Sequence, residues 1–304
     1  MSDLKLFRTT NGVKQLSSTQ VSLEKELQNL IEKNMEVFFG VRFLKSEYTI
    51  TKIGGRMDSI GIDENNCPVI FEYKRSSSDN VINQGLFYLD WLLDHQADFR
   101  LLVNEKLGKY APEEIDWAAP CVICVANEFT KYDIYAVNQM QRNIKLVKYR
   151  KFDDDLILFE FLNTPSIKPT STELASLPDN DDNYSKKNYK THLDKLKIIP
   201  EKIKTLYTNT CNYIESLGDD IAVNQLKYYI AYKKIQNLIC IEVYNDHLNI
   251  FVKLNPDDIK LEEGFIEDVR EIGHYGTGDV RIIIKNDNQL EKAKYLLEKA
   301  YNEA

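Results

Sequence analysis

A predicted β-hairpin constrains the fold of this chain more than any other feature of its sequence. Two apolar segments with strand composition, at 57–62 and 68–75, flank the turn-forming run DENNC. With Asn65 at the centre of the hairpin, Asp58 lies directly across from Glu72. Side chains alternate along a strand, so Lys74 shares the face of Glu72. The sequence therefore predicts two acids and a lysine close together on one face of a sheet.

The other segments of the first half alternate between strand and helix patterns. Short apolar runs predict strands, and apolar residues at helical spacing predict helices. The strands are predicted at 4–8, 121–126, 144–150 and 156–162, and the helices at 22–37 and 79–95. This order predicts an α/β sandwich around a mixed central sheet.

A segment rich in proline and small polar residues, 163–192, divides the chain. Its composition is typical of a linker. We predict a first domain at 1–165, a linker at 166–192 and a second domain at 193–304. The second domain has helix patterns at 201–217 and 288–302 with strand patterns between them, which predicts a small α+β domain.

Composition limits the classes of function. The formal net charge is −8, from 39 basic and 47 acidic residues, so any surface that binds nucleic acid must be a local basic patch. The sequence has no apolar run long enough to span a membrane. Its N-terminus, MSDLKLFRTT, is too polar for a signal peptide. Five scattered cysteines do not form a disulfide framework. These features predict a cytoplasmic protein.

The predicted pair of acids suggests a metal site. Two acids directly opposite each other repel, and a divalent cation between them would replace repulsion with ligation. Mg²⁺ prefers one or two carboxylates, several waters and substrate phosphate oxygens. Lys74 beside such a metal could orient a water molecule for attack on phosphorus. The alternative interpretation is a surface Glu72–Lys74 pair with an unrelated Asp58.

The hairpin resembles the PD-(D/E)XK nuclease superfamily, within its RecB-like and NucS-like endonuclease branch. Asp58 follows GGRM, where MD replaces the usual PD, and Glu72 and Lys74 stand in FEYKR. The run QGLFY supplies Gln84 and Tyr88, four apart on the following helix. The resemblance implies a restriction-endonuclease-like mixed sheet flanked by helices. It also implies catalytic roles for all five residues.

The same branch carries a glutamate at the start of its leading helix, and LEKELQNLIEKN matches with Glu24. Glu26 lies at the other edge of the same apolar stripe, so periodicity alone does not choose between them as a third metal ligand. The resemblance implies Mg²⁺, with Mn²⁺ as a substitute, and cleavage of DNA that leaves 5′-phosphate and 3′-hydroxyl ends. Cutting both strands with one site per chain favours a homodimer.

Two other functions fit the same sequence. A PD-(D/E)XK fold can serve as a non-catalytic module that binds nucleic acid or assembles with other proteins. An adaptor of a mobile-element defence system is a third interpretation. Binding without cutting, or no binding of nucleic acid at low salt, would distinguish these from an enzyme.

Basic residues and cysteines complete the prediction. Phosphate contacts are predicted at five basic residues near the hairpin and in the run RNIKLVKYRK: Arg56, Arg75, Lys145, Lys148 and Arg150. A solvated strand edge explains the run RNIKLVKYRK equally well. Cys121 and Cys124 form a lone C-x-x-C within a strand and are predicted to be core residues. Basic and aromatic residues at 227–234 suit either a nucleic-acid surface or an amphipathic strand. The second domain resembles a domain of unknown function found behind nuclease domains, sometimes labelled "predicted transport protein".

Overall fold

A computed structural model gives the structure of the protein. It describes residues 5–10, 12–19, 24–50, 54–74, 81–108, 115–152, 156–163 and 190–303. Arg75 and most of the predicted linker lie outside these residues, so the linker and the domain boundaries stay predictions. The described residues form two units, each with its own large sheet: an N-terminal unit up to 163 and a C-terminal unit from 190.

The N-terminal unit is built on a mixed sheet. Its strand order is β3-β8-β7-β6-β5-β4, with β9 pairing β8. Strands β6, β7 and β8 run parallel, whereas β4, β5 and β6 pair antiparallel. The strands are β3 (Ser18–Thr19), β4 (Val41–Thr49), β5 (Arg56–Asp63), β6 (Pro68–Lys74), β7 (Cys121–Ala126), β8 (Asn143–Phe152) and β9 (Leu156–Phe161). Two short strands, β1 (Phe7–Arg8) and β2 (Lys14–Gln15), pair separately.

Helices cover both faces of this sheet. Helices α1 (Glu24–Lys33) and α2 (Met35–Phe39) bury Leu27, Ile31 and Phe39 against one face. Apolar residues such as Leu89 and Phe99 pack on the other face, from α3 (Val81–Asp94), α4 (Gln96–Leu107) and α5 (Lys131–Gln139). The predicted α/β fold, a mixed sheet flanked by helices, is confirmed.

The predicted hairpin has the predicted register. Ser59 pairs with Phe71, and the pairing continues to Ile62 with Pro68, which centres the hairpin on Asn65. Asn66 adopts a left-handed φ of 60° in the turn, a conformation that asparagine tolerates better than most residues. The alternation of side chains along these strands is therefore the one inferred from the sequence.

Several elements were not predicted. The sequence patterns predict no element in the regions of β4, α4 and α5, and they predict one continuous helix over 22–37. The helix instead breaks at Asn34, where φ is −128° and ψ is 23°, and resumes as α2. Strand β4 pairs with β5 through an irregularity between Phe43 and Lys45, which disrupts the alternation that marks a strand.

The C-terminal unit is an antiparallel sheet covered by helices. Its strand order is β10-β11-β12-β13-β15-β14. Helix α7 (Glu201–Glu215) and the final helix α8 (Asp287–Asn302) pack on the sheet through buried residues such as Leu206 and Leu297. The other elements are α6 (His192–Ile198), β10 (Ala222–Gln225), β11 (Ile230–Lys233), β12 (Asn237–Val243), β13 (Leu248–Val252), β14 (Ile266–Asp268) and β15 (Val280–Ile284).

The cysteines are core residues, and for Cys121 and Cys124 this position was predicted. All five are free thiols and buried. Cys121 and Cys124 lie in the apolar clusters on opposite faces of the sheet, because an odd separation along a strand reverses the side chain. Burial raises the pKa of the Cys121 thiol to about 11, which leaves it neutral and unreactive near pH 7. Across the described ranges, every helix is too short or too polar to cross a lipid bilayer.

Candidate functional site

Asp58 and Glu72 lie side by side where strands β5 and β6 separate. The backbone ladder between the two strands ends at the pair Ser59–Phe71. Beyond that pair, the N–H of Tyr73 donates to Asp58 Oδ2 at 3.0 Å, and the N–H of Asp58 approaches Glu72 Oε1 at 3.3 Å. Each carboxyl thus replaces a missing ladder bond with one of its oxygens. Neither bond uses the second oxygen of the carboxyl.

The two acids are held in a poorly solvated place. Glu72 is 2% exposed, and burial together with the nearby charge of Asp58 raises the pKa of Glu72 to about 9. Burial also raises the pKa of Asp58, although the Tyr73 N–H and the Lys74 ammonium group oppose this effect. Two adjacent carboxylates in such a place are costly to ionise without a cation between them.

Lys74 meets the first turn of helix α1 at the same end of the sheet. Its Nζ atom lies 3.7 Å from Glu24 Oε1, and the two side chains are 20% and 39% exposed. The charge of Glu24 also contributes to the raised pKa of Glu72. Glu26 is exposed on α1. The structure therefore brings Glu24 beside Asp58, Glu72 and Lys74, while its role as a metal ligand stays a prediction.

Gln28 is a functional candidate that was not predicted from the sequence. It is 6% exposed, and its Nε2 atom donates to the Asp58 carbonyl oxygen and to Glu32 Oε1, both at 2.8 Å. Ser59 Oγ donates to the same Glu32 oxygen at 2.6 Å. This network ties helix α1 to Asp58 and Ser59 on strand β5, where the ladder with β6 ends. The signal was present, since Gln28 falls four residues after Glu24 on the buried side of the helix.

Tyr88 supports the backbone that leads to Asp58. Its hydroxyl accepts the N–H of Arg56 at 3.3 Å. Gly55 adopts a φ of 148°, and a Cβ atom there would lie 3.0 Å from Tyr88 Cε1, so the ring packs directly on this glycine. Tyr88 is 6% exposed, so its observed contacts are with the backbone before Asp58, and its predicted catalytic role stays a prediction. Gln84 lies one turn earlier on α3 and is exposed.

The predicted phosphate contacts are distributed unevenly. Arg56 is exposed, and its NH1 atom is 2.7 Å from Glu47 Oε2. Lys148 and Arg150 are half-buried on β8. Lys148 is in register with Ala126, which is in register with Lys74, so it lies at the same end of the sheet as the acids.

Lys145 is buried, which disfavours the phosphate contact predicted for it. It is 7% exposed on β8, a strand with neighbours on both sides, and burial lowers the pKa of its ammonium group to about 8. The aromatic and basic run at 227–234 is also not an open nucleic-acid surface, because Tyr229, Tyr232 and Lys233 are buried. In both cases the strand lies inside its sheet, whereas its basic composition also fits a strand with one face exposed to solvent.

The two carboxylates of the site fit a divalent cation that takes most of its ligands from water and substrate. No group of three or more His, Cys, Asp or Glu side chains is arranged to hold a metal among the residues that the structure describes. Asp58 and Glu72 supply two carboxylates, which is the number that Mg²⁺ takes when waters and substrate phosphates complete its shell.

Comparisons with known proteins establish the family. An uncharacterised protein of Haemophilus influenzae (strain Rd) is 30% identical to this chain over 313 aligned positions, which cover 98% of this chain and 99% of that protein. The chain belongs to the same family as that protein. Residues 191–304 match a domain of unknown function, DUF5655.

Two solved structures are similar to part of this chain. One is an EndoMS–dsDNA complex, with 20% identity, a TM-score of 0.29, and coverage of 45% of this chain and 50% of that chain. The other is a repair endonuclease from Pyrococcus abyssi, with 18% identity, a TM-score of 0.28, and coverage of 47% of this chain and 61% of that chain. At these scores the likenesses carry no conclusion about activity.

Proposed function

We propose that the N-terminal unit is a metal-dependent phosphodiesterase that hydrolyses DNA. The observation that carries this proposal is the convergence of Asp58, Glu72 and Lys74 at one end of the sheet. The Asp58 carboxyl accepts a backbone N–H from the strand of Glu72, and the Glu72 carboxyl accepts the N–H of Asp58. Asp58 and Glu72 would hold Mg²⁺, or Mn²⁺ as a substitute. Glu24, whose carboxyl lies 3.7 Å from Lys74 Nζ, would act by positioning that lysine.

The electrostatics of the site favour a cation as the missing partner. A buried carboxyl whose pKa is about 9 is protonated at neutral pH unless a positive charge offsets the neighbouring acid. Bound Mg²⁺ would supply that charge, polarise a phosphoryl oxygen and lower the pKa of a coordinated water. The two acids would then be ionised together at the pH of the cell.

Lys74 would orient the attacking water. Glu24 lies beside its ammonium group, and the 20% exposure of the lysine side chain leaves it open to substrate. The oxygen of water would add to phosphorus as the bond to the 3′ oxygen breaks, and the leaving oxygen would take up a proton. The products would be 5′-phosphate and 3′-hydroxyl ends. Gln84, exposed on α3, would steady the phosphodiester.

A cleavage assay on the full chain tests the proposal. Purified protein is incubated with single-stranded, double-stranded and branched DNA in Mg²⁺, Mn²⁺ or EDTA. We expect metal-dependent cutting that falls by at least 10²-fold in Asp58→Ala and in Lys74→Ala. Glu105→Ala and Lys106→Ala are matched controls, because both residues are exposed on α4, and they should cut as the wild type does.

The other outcomes assign a different function. DNA binding without cutting, in every metal and on every substrate, would contradict the enzyme and favour a nucleic-acid-binding module. No binding at low salt would favour a protein adaptor. The homodimer stays a prediction, which light scattering coupled to size-exclusion chromatography would measure.

A further inference from the structure

The turn of the β5–β6 hairpin is buried against the C-terminal unit. Cys67 at the end of the turn belongs to an apolar cluster with Tyr229, Cys240 and Phe251 of the C-terminal unit. Asn65 at the turn is only 4% exposed. A hairpin turn is ordinarily a solvated surface feature, so its enclosure here requires polar partners from the second unit.

Asn65 finds those partners in two side chains of the C-terminal unit. Its Nδ2 atom donates to Asn237 Oδ1 at 3.2 Å, and the Asn237 amide donates in return to Asn65 Oδ1. The hydroxyl of Tyr229 donates to the same Asn65 oxygen at 2.9 Å. The amide of Asn65 is therefore held on both of its polar atoms.

Asp63 links the turn to a buried lysine. Asp63 Oδ1 accepts the backbone N–H groups of Asn65 and Cys67, both at 2.9 Å, and so closes the turn. Its second oxygen lies 3.5 Å from Lys233 Nζ, and the two side chains are 7% and 5% exposed. Loss of the Lys233 charge would leave the buried Asp63 carboxylate with backbone N–H partners but without its neighbouring cation.

Additional bonds hold the same turn from the side. The N–H of Asp116 donates to the Asn66 carbonyl at 2.9 Å, while Asp116 Oδ2 accepts the N–H of Lys227 at 3.0 Å. The N–H of Asn237 donates to Glu64 Oε1. The turn is thus bonded to the C-terminal unit through backbone and side-chain groups at successive positions.

We propose that the C-terminal unit acts as a clamp on the β5–β6 hairpin and thereby positions the acids of the candidate site. The hairpin clamp consists of Tyr229, Lys233 and Asn237 on the C-terminal unit, bound to Asp63 and Asn65 in the turn. The turn sets the register of a hairpin, and a slip of one residue would move every side chain to the opposite face. The clamp holds the turn of the hairpin whose register places Asp58 across from Glu72. The C-terminal unit is then an integral part of the site and not a tethered accessory.

Hydrogen exchange on the full-length protein tests the hairpin clamp without reference to activity. In Lys233→Met we expect amide exchange in peptides from 56–74 to rise by at least tenfold, and the Tm to fall by about 5–10 °C. Arg281→Met is the matched control, since Arg281 pairs with Glu267 between two strands of the same sheet. Its effect should stay within β14 and β15.

Tyr229→Phe provides a milder test in case Lys233→Met does not fold. It removes one hydroxyl and keeps the ring, so exchange in 56–74 should rise about two- to tenfold. Unchanged exchange in the hairpin of Tyr229→Phe, or a rise in Lys233→Met confined to the C-terminal unit, would overturn the clamp. Because exchange is read without DNA or metal, a failure of the nuclease proposal would leave this result unaffected.

Discussion

Replacing Glu72 with glutamine should stabilise the metal-free protein at neutral pH. Glutamine keeps an oxygen that can accept the N–H of Asp58, and it removes the charge that burial and Asp58 disfavour. Most substitutions of buried polar residues destabilise, so a gain in stability would be a specific signature of an acid held for a cation.

The magnitude follows from the shift of the pKa. The pKa of Glu72 rises from 4.5 to about 9 on folding, so the folded state binds the proton more tightly than the unfolded state. The stabilising contribution of this proton is fully present below about pH 4.5 and is lost as the pH rises through about 9. At pH 7 the penalty relative to a neutral side chain is about 3 kcal/mol, whereas at pH 5 it is below about 1 kcal/mol.

Thermal unfolding in EDTA measures this difference. We expect the Tm of Glu72→Gln to exceed that of the wild type by about 5–10 °C at pH 7 and by much less at pH 5. Glu242→Gln is a matched control, because Glu242 is equally buried but accepts N–H groups from Tyr275 and Gly276 and the hydroxyl of Tyr244. This control should lose stability at both pH values.

Adding Mg²⁺ should remove the difference in stability between the two proteins. A ligand at one hundred times its dissociation constant stabilises the folded state by about 3 kcal/mol, and Glu72→Gln should lose this gain. A variant that is no more stable than the wild type at pH 7, with the same response to pH, would refute the reasoning. Equal stabilisation of both proteins by Mg²⁺ would exclude Glu72 as a ligand.

Two further substitutions probe the support of Asp58. Gln28→Ala should lower the free energy of unfolding by about 1–3 kcal/mol, because it leaves the Asp58 carbonyl and Glu32 without their shared donor; urea unfolding with an unchanged midpoint would contradict this role. Gly55→Ala should cost about 1–3 kcal/mol, from the left-handed φ and the contact with Tyr88, and metal binding by calorimetry should weaken with it. Metal affinity equal to that of the wild type in Gly55→Ala would show that this loop does not position the site.

The hairpin register was predictable because it depends on local sequence. A short turn between two apolar segments, with Asn65 at its centre, leaves few alternative pairings, and side-chain alternation then places Asp58 across from Glu72. Strand β7 was also predicted with its observed bounds, since a short apolar run with three β-branched residues, between Pro120 and Asn127, has few other interpretations. Periodicity could not show that Glu24, and not Glu26, is the acid near Lys74, because Glu24 and Glu26 lie at the two edges of one apolar stripe.

Other features depended on neighbours that are distant in the sequence. Lys145 belongs to a basic run that fits an exposed strand, yet it is buried, with its ammonium group 6.0 Å from the centroid of the Phe161 ring and near the charge of Lys233 of the C-terminal unit. Lys233 sits in a run of tyrosines and lysines, and its burial follows from the approach of Asp63, 170 residues earlier in the chain. No local pattern reports such an approach.

The sequence by itself determined the alternation of side chains, the placement of the two acids across from each other and the mixed α/β character of the N-terminal sheet and its helices. These properties follow from local backbone geometry and from the spacing of apolar residues. Only the tertiary structure decided which charges are buried, that the hairpin turn is enclosed by the C-terminal unit, and that Gln28 and Tyr88 support the backbone around Asp58. Burial and hydrogen bonding between distant segments depend on how the sheets and helices pack, and many sequences with the same local patterns could pack differently.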